Sequence, residues 1–258
     1  MPMVEHTVRP VRNTPRALLV QAILLVFFGL SFILPQNAVA SAESWRALGH
    51  EPSWTLSRSG SDMTLETDFG ATRVSFPTPP PERMDDSTVS YATSVNGSPL
   101  QFTIKSDVCV DTMTGMPRPQ SVSLTFGELQ LKGCGGEPTS LLQAHEWTVS
   151  KLAGQPVLEK PRITVNFDES SRLSGLASCN RFGSDYKLTG EGLQIGKAMS
   201  SMMACEDAVM KQEHLFLSLL GKVSRFSIPS EGALVLHTND DRTIEMEKAT
   251  MATPGGSE

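Results

Sequence analysis

The sequence predicts an α+β fold that is mostly β. Two small antiparallel β-rich domains are expected, each a curled sheet or partial barrel, the second with one amphipathic helix. Three observations carry this. Short runs alternate apolar and polar residues, as in Leu100-Gln101-Phe102-Thr103-Ile104, and period-two alternation marks strands with one buried face. Turn residues cluster at Gly135-Gly136-Glu137-Pro138 and divide these runs into two groups. One segment, about Glu206 to Leu220, has helical spacing, and a single amphipathic helix cannot cover both faces of a long parallel sheet.

The expected organisation is an export signal over 1–40, a first β-rich domain over 44–137, a second over 140–248 and a disordered tail over 249–258. In the first domain, Met63 to Thr67, Leu100 to Ile104 and Val122 to Phe126 alternate. Asn96-Gly97 is a hairpin turn, and the four prolines between Pro77 and Pro81 require a surface loop or edge connection. In the second, strands are expected at Trp147–Val149, Ile163–Phe167, Tyr186–Leu188, Leu193–Ile195, Arg225–Ile228, Ala233–His237 and Thr243–Met246. The helix carries an apolar stripe of Val209, Phe216, Leu219, Leu220 and Val223 and ends at Gly221.

At the N-terminus a basic stretch ends at Arg16. An apolar run from Ala17 to Leu34 follows, then Pro35 and Ala38-Val39-Ala40. That order is the pattern of a secretory signal peptide cut after Ala40. An uncleaved anchor is the rival reading, because the run is about as long as the shortest spanning helix. A periplasmic location follows from cleavage. No cysteine stands directly after the apolar run, the first being Cys109, which argues against a lipid-modified N-terminus.

The chain has 22 basic and 28 acidic side chains; setting aside Arg9, Arg12, Arg16 and Glu5 leaves 19 and 27, a net of −8. Such a surface repels nucleic acid, whose affinity comes mainly from phosphate neutralisation, and disfavours anionic lipid. Membrane contact is expected only through an uncleaved N-terminal segment. The four cysteines, Cys109, Cys134, Cys179 and Cys205, suit two disulfides in an oxidising compartment. Three pairings are formally possible, and the domain split favours Cys109–Cys134 and Cys179–Cys205.

The stretch Ser174 to Tyr186, with Gly175, Cys179-Asn180-Arg181-Phe182 and Gly183, resembles the signature of META (HslJ-like) domains. Met202-Met203-Ala204-Cys205, with Glu213 and Phe216 in the helix after it, resembles that family's second motif. Trp147 and Leu152-Ala153-Gly154 match its opening strand and turn. The first half resembles a less described bacterial envelope family that often precedes META domains, through Gly49-His50-Glu51-Pro52-Ser53-Trp54, Cys109 to Gly115 and Gly133-Cys134-Gly135. The resemblance implies a cell-envelope protein linked to heat shock, novobiocin tolerance and motility or secretion. It implies no catalytic residues.

Read on their own, Asn180 and Gly183 suit a tight turn with left-handed backbone angles, and Phe182 and Tyr186 are placed to pack across the sheet beside a disulfide. A ligand pocket lined by Asn180, Arg181 and Tyr186 is one candidate site. A second is soft-metal, that is copper, binding by Met202, Met203, Met210 and His214, of which the last two share a helical face. A third is a metal or acid–base site at His50, Glu51, Asp107 and Asp111; being adjacent on a strand, His50 and Glu51 are expected to point to opposite faces, so only one joins a site. His145 and His237 stand alone. There is no G-x-S-x-G, H-E-x-x-H or phosphate-binding glycine loop. The sequence therefore points to a non-enzymatic exported protein without a cofactor, whose partner is an envelope protein or small ligand. Copper binding and inhibition of a cell-wall hydrolase are the alternatives.

Overall fold

The computed structural model describes residues 44–249 except Glu191 and Glu231. The expected export signal, its cut after Ala40 and residues 250–258 lie outside the described residues. No helix among the described residues is long and apolar enough to cross a membrane.

The first half is strand joined by turns, loops and one 3-10 turn, Asp68–Gly70. β1 (Trp45–His50), β2 (Ser53–Ser59), β3 (Asp62–Thr67) and β4 (Thr72–Pro77) form a meander. The two-residue β5 (Glu82–Arg83) leads into a long hairpin, β6 (Thr88–Val95) and β7 (Ser98–Lys105). A small ribbon of β8 (Cys109–Val110) and β9 (Pro117–Arg118) precedes β10 (Gln120–Phe126) and β11 (Leu129–Gly135). Nine of these make one antiparallel sheet in the order β4-β3-β2-β1-β11-β10-β7-β6-β5, curled into a half-barrel.

The local chemistry explains the register. Asn96 and Gly97 turn the β6–β7 hairpin with φ of 52° and 82°, the left-handed pair that matches strand twist. Alternate residues Leu100 and Phe102 of β7, Val122 and Leu124 of β10, and Leu131 of β11 are buried in one core. Trp54 is buried with its indole N–H donating to the Lys132 carbonyl at 3.1 Å. Glycines make room for it: a Cβ at Gly49 would strike the Trp54 indole, and one at Gly133 the Leu48 carbonyl and the same ring. Gly49, Trp54 and Gly133 of the first-half motifs thus form a packing arrangement around one tryptophan.

The second half begins with a short helix, α1 (Thr139–Gln143), followed by β12 (Trp147–Leu152), β13 (Gln155–Pro156), β14 (Ile163–Phe167), β15 (Arg172–Ala177) and β16 (Arg181–Thr189). Then come β17 (Gly192–Ile195), β18 (Met199–Ser200), the main helix α2 (Asp207–Leu220), β19 (Val223–Ser227), β20 (Ala233–Thr238) and β21 (Thr243–Lys248). The strands run β17-β16-β15-β14-β12-β21-β20-β19 and make a nearly closed antiparallel barrel. Helix α2 turns Val209, Phe216, Leu219 and Leu220 inward, all buried, so its apolar stripe plugs the barrel. Phe216 meets Phe182 edge-on at 5.3 Å, and Tyr186 meets Phe167 edge-on at 5.1 Å.

Three local expectations are corrected. Val223 lies in β19 and not on the helix, whose fifth buried residue is Glu213. Gly221 caps α2 in a right-handed conformation, φ −70°, because its N–H still reaches the Leu217 carbonyl. Asn180 and Gly183 do not adopt left-handed angles; the residue that does is Ser178, at φ 114°. Gly183 sits inside β16, and Asn180 is held by the buried partners described below.

The disulfides are Cys109–Cys134 and Cys179–Cys205, with sequence separations of 25 and 26. They are the pairings that the domain split favours. Two disulfides are consistent with an oxidising, exported compartment. The described residues fall within one compact unit, and Met116, from the first half, is buried in the core of the second.

Candidate functional site

The outer face of the first sheet carries several polar side chains around a cleft. On neighbouring strands Thr103, Ser123 and Lys132 are paired in register, and Lys105, Ser121 and Cys134 form the next row. The segment between β7 and β10 passes over this face and is tied to β11 by the Cys109–Cys134 disulfide. Between segment and sheet lies a cleft of about 590 Å³ that includes His50, Glu51, Asp111, Ser123 and Lys132 in its lining.

Asp111 organises the covering segment. It is 5% exposed, and its Oδ1 accepts the N–H groups of Met113 at 2.9 Å and Thr114 at 3.1 Å, an Asx-type turn. The same carboxylate accepts from His50 Nε2, at 3.0 and 3.2 Å to its two oxygens. Burial pushes the Asp111 carboxyl up, but the Thr114 and Met113 amides and His50 outweigh it and hold the group below the ordinary carboxylate range. Next to it, Asp107 bridges Lys105 Nζ at 2.8 Å and accepts the Ser121 hydroxyl at 2.5 Å. Burial opposes its ionisation as well; Lys105 and Ser121 prevail and lower it.

The structure corrects the expectation that His50 and Glu51 face opposite ways. β1 ends at His50 and the chain turns at Glu51–Pro52, so strand alternation no longer applies and both residues border the cleft. His50 and Asp111 meet directly, while Asp107 belongs to the lysine and serine beside them. Among the described residues, no hydroxyl or thiol hydrogen-bonds the His50 ring. A second hollow of about 310 Å³ shares His50 and Asp111 and reaches across to Leu188 and Thr189 of the second half.

The other sequence candidates are placed differently. Asn180 is buried, and its side chain is fully engaged. Its Nδ2 donates to Glu213 Oε1 at 2.8 Å and to the Met203 carbonyl at 3.2 Å, while its Oδ1 accepts from the Ser201 hydroxyl at 2.8 Å and Met203 N–H at 2.7 Å. Glu213, 3% exposed, takes the backbone N–H groups of Cys179 and Asn180 on Oε2 at 3.0 and 2.7 Å. Helix α2, the β15–β16 turn and the methionine loop are therefore locked by one carboxylate and one carboxamide. Tyr186 donates its hydroxyl to the Asp168 carbonyl at 2.9 Å and accepts from Gln143 Nε2 at 2.7 Å. Only Arg181 of the proposed trio is exposed, bordering a groove with Glu146 and Asn166; the three residues do not share a pocket.

Met202 and Met203 stand exposed on the loop before α2, Met202 at 95%. Met210 and His214 lie one turn apart on α2, the histidine exposed. No group of three or more His, Cys, Asp or Glu side chains able to hold a metal occurs among the described residues. The residue that sequence reasoning passed over as a determinant is Glu213. The signal was a charged residue on the apolar stripe of an amphipathic helix, a place where burial demands partners.

Comparison with known proteins bears on the second half. The META domain family matches residues 140–250. Two solved structures resemble part of the chain. An NMR structure of a protein from Burkholderia xenovorans has 24% identity and a TM-score of 0.37, and covers 44% of this chain and 87% of its own. A crystal structure of a DUF4847 family protein from Bacteroides vulgatus has 10% identity and a TM-score of 0.35, covering 45% of this chain and all of its own. No curated protein matches the chain.

Proposed function

We propose that this is an exported, non-enzymatic envelope protein that binds a polar ligand in the cleft under the 107–116 segment. Periplasmic placement after cleavage at Ala40 and a role in stress or antibiotic tolerance belong to the same reading. The carrying observation is the cleft itself: hydroxyls of Thr103 and Ser123, the Lys132 ammonium and the Glu51 carboxylate offer donors and acceptors side by side. A His–Asp pair alone does not make a hydrolase. Acyl transfer requires a nucleophile on the imidazole nitrogen opposite the aspartate, and no described residue hydrogen-bonds that nitrogen. The META-type second half supplies a rigid, plugged barrel beside this cleft.

Native mass spectrometry of protein recovered from an envelope fraction tests this, run beside a Lys132→Glu, Ser123→Ala variant. Wild type is expected to retain an added mass that the variant loses. Equal retention by both proteins would remove the cleft from the account.

The hydrolase-inhibitor reading gains one observation. At the β3–β4 turn Phe69 is 94% exposed, and it and Asp68 both take left-handed angles, φ 56° and 50°, a strained display of an aromatic side chain. Inhibition of a muramidase that disappears in Phe69→Ala would support that reading, and full muramidase activity in excess wild-type protein would end it.

A further inference from the structure

The curled first sheet has a second void on its inner face. Thr103 and Lys105 of β7 line the cleft, whereas the alternate residues Phe102 and Ile104 line a separate cavity of about 200 Å³. The two sites therefore lie on opposite faces of the strand and share no lining residue.

Aromatic rings make part of the cavity wall, beside Arg58, Thr78, Ser106 and Gln120. Tyr91 and Phe102 stack with ring centroids 4.6 Å apart and planes 9° from parallel, and Trp45, Met63 and Ile104 extend the apolar lining. Trp45, Tyr91 and Ile104 pack on the core only partly buried, so the half-barrel is not filled from within. Polar groups converge at the same place. Trp45 Nε1 donates to Gln120 Oε1 at 2.7 Å, while the carboxamide nitrogen of Gln120 has no partner among the described residues. Thr78, also in the wall, has a buried hydroxyl oxygen with no hydrogen-bond partner, an unusual state for a folded protein.

A mostly apolar, concave site with a few unused polar groups is the signature of a small-molecule pocket. A cavity of about 150 Å³ accepts benzene, so about 200 Å³ accommodates one ring and a short substituent. We propose that this cavity binds a single-ring aromatic molecule bearing one oxygen substituent, with the ring against Tyr91, Phe102 and Trp45 and the oxygen accepting from the Gln120 carboxamide. The site goes beyond the cleft reading and stands or falls separately from it.

The three tryptophans make the test internally controlled. Each indole N–H has a different acceptor: Gln120 for Trp45, the Lys132 carbonyl for Trp54 and the Leu142 carbonyl for Trp147. In ¹H–¹⁵N spectra of the labelled protein, phenol is expected to shift the Trp45 indole peak saturably and leave the other two in place. Toluene, which lacks the oxygen, is expected to bind about tenfold more weakly. A Val89→Phe variant, filling the void, should lose the shift while keeping the Trp54 and Trp147 peaks of the folded protein. No saturable movement of the Trp45 peak in the wild-type protein, or equal movement of all three peaks, would overturn the proposal.

Discussion

Among the described residues, each half of the molecule buries one carboxylate close to its disulfide, and the two are used differently. Asp111, two residues after Cys109, gathers the Met113 and Thr114 amides and His50. Glu213 gathers the amides of Cys179 and Asn180 and the Asn180 carboxamide. Both satisfy donors that would otherwise be orphaned in the interior. Around Glu213 every partner is neutral and enclosed, and the group joins a helix to the β15–β16 turn and, through Asn180, to the methionine loop. Asp111 instead faces an ionisable histidine whose side chain is 29% exposed at a cleft. The same device closes a core in one half and shapes a recessed surface in the other. A resemblance to a signature motif therefore does not locate a binding site: the META-like Cys179-Asn180-Arg181-Phe182 run is mostly the lock.

Removing the carboxylates separates the two cases most sharply. Glu213→Ala orphans three buried donors and is expected to cost about 3–5 kcal/mol in chemical denaturation, whereas Asp111→Ala, at the cleft, should cost about 1–3 kcal/mol. Equal losses would mean that Asp111 is as much a structural lock as Glu213.

The disulfides offer a second comparison, smaller per site. With separations of 25 and 26 residues, the chain-entropy model assigns each about 3 kcal/mol. Paired Cys→Ser variants, Cys109 with Cys134 and Cys179 with Cys205, should lose similar stability by denaturant titration. A much larger loss at Cys179–Cys205 would show that this bridge also supports the Glu213 lock through Cys179. The Cys109–Cys134 variant should in addition weaken ligand retention, because that bridge holds the cover of the cleft.

The smallest effect is acid dependence. Asp111 is held below the ordinary carboxylate value in the folded state. The stability it contributes is present above the unfolded carboxylate value of about 3.9 and is lost as pH falls through the folded value. Asp111→Asn should therefore give a shallower acid limb in stability measured from pH 7 down to about 2. Superimposable limbs would show that the turn amides and His50 do not favour the ionised form.

Much of the fold was legible in the residues. Alternation located β3, β7, β10 and β14, Asn96-Gly97 marked its hairpin, and the stripe located α2, because these signals are local and depend on which face of an element meets water. The candidate sites were less legible. His50 and Asp111 are 61 positions apart, and nothing in their spacing announces a pair; the turn after β1 and the Cys109–Cys134 tether bring them together. Asn180 read as a turn residue because its side chain suits one, but a carboxylate 33 positions away decided otherwise.

By itself the sequence determined the mostly β character, the division into two groups of strands and one amphipathic helix, and it favoured one of three sulfur pairings. These follow from periodicity, turn chemistry and the short reach between cysteines of one group. Only the tertiary structure decided that the helix plugs one barrel while the other curled sheet keeps a cavity, and that Glu213 and Asn180 are spent on each other. Those outcomes depend on which side chains of distant strands share a volume, and volume is settled when the sheets close.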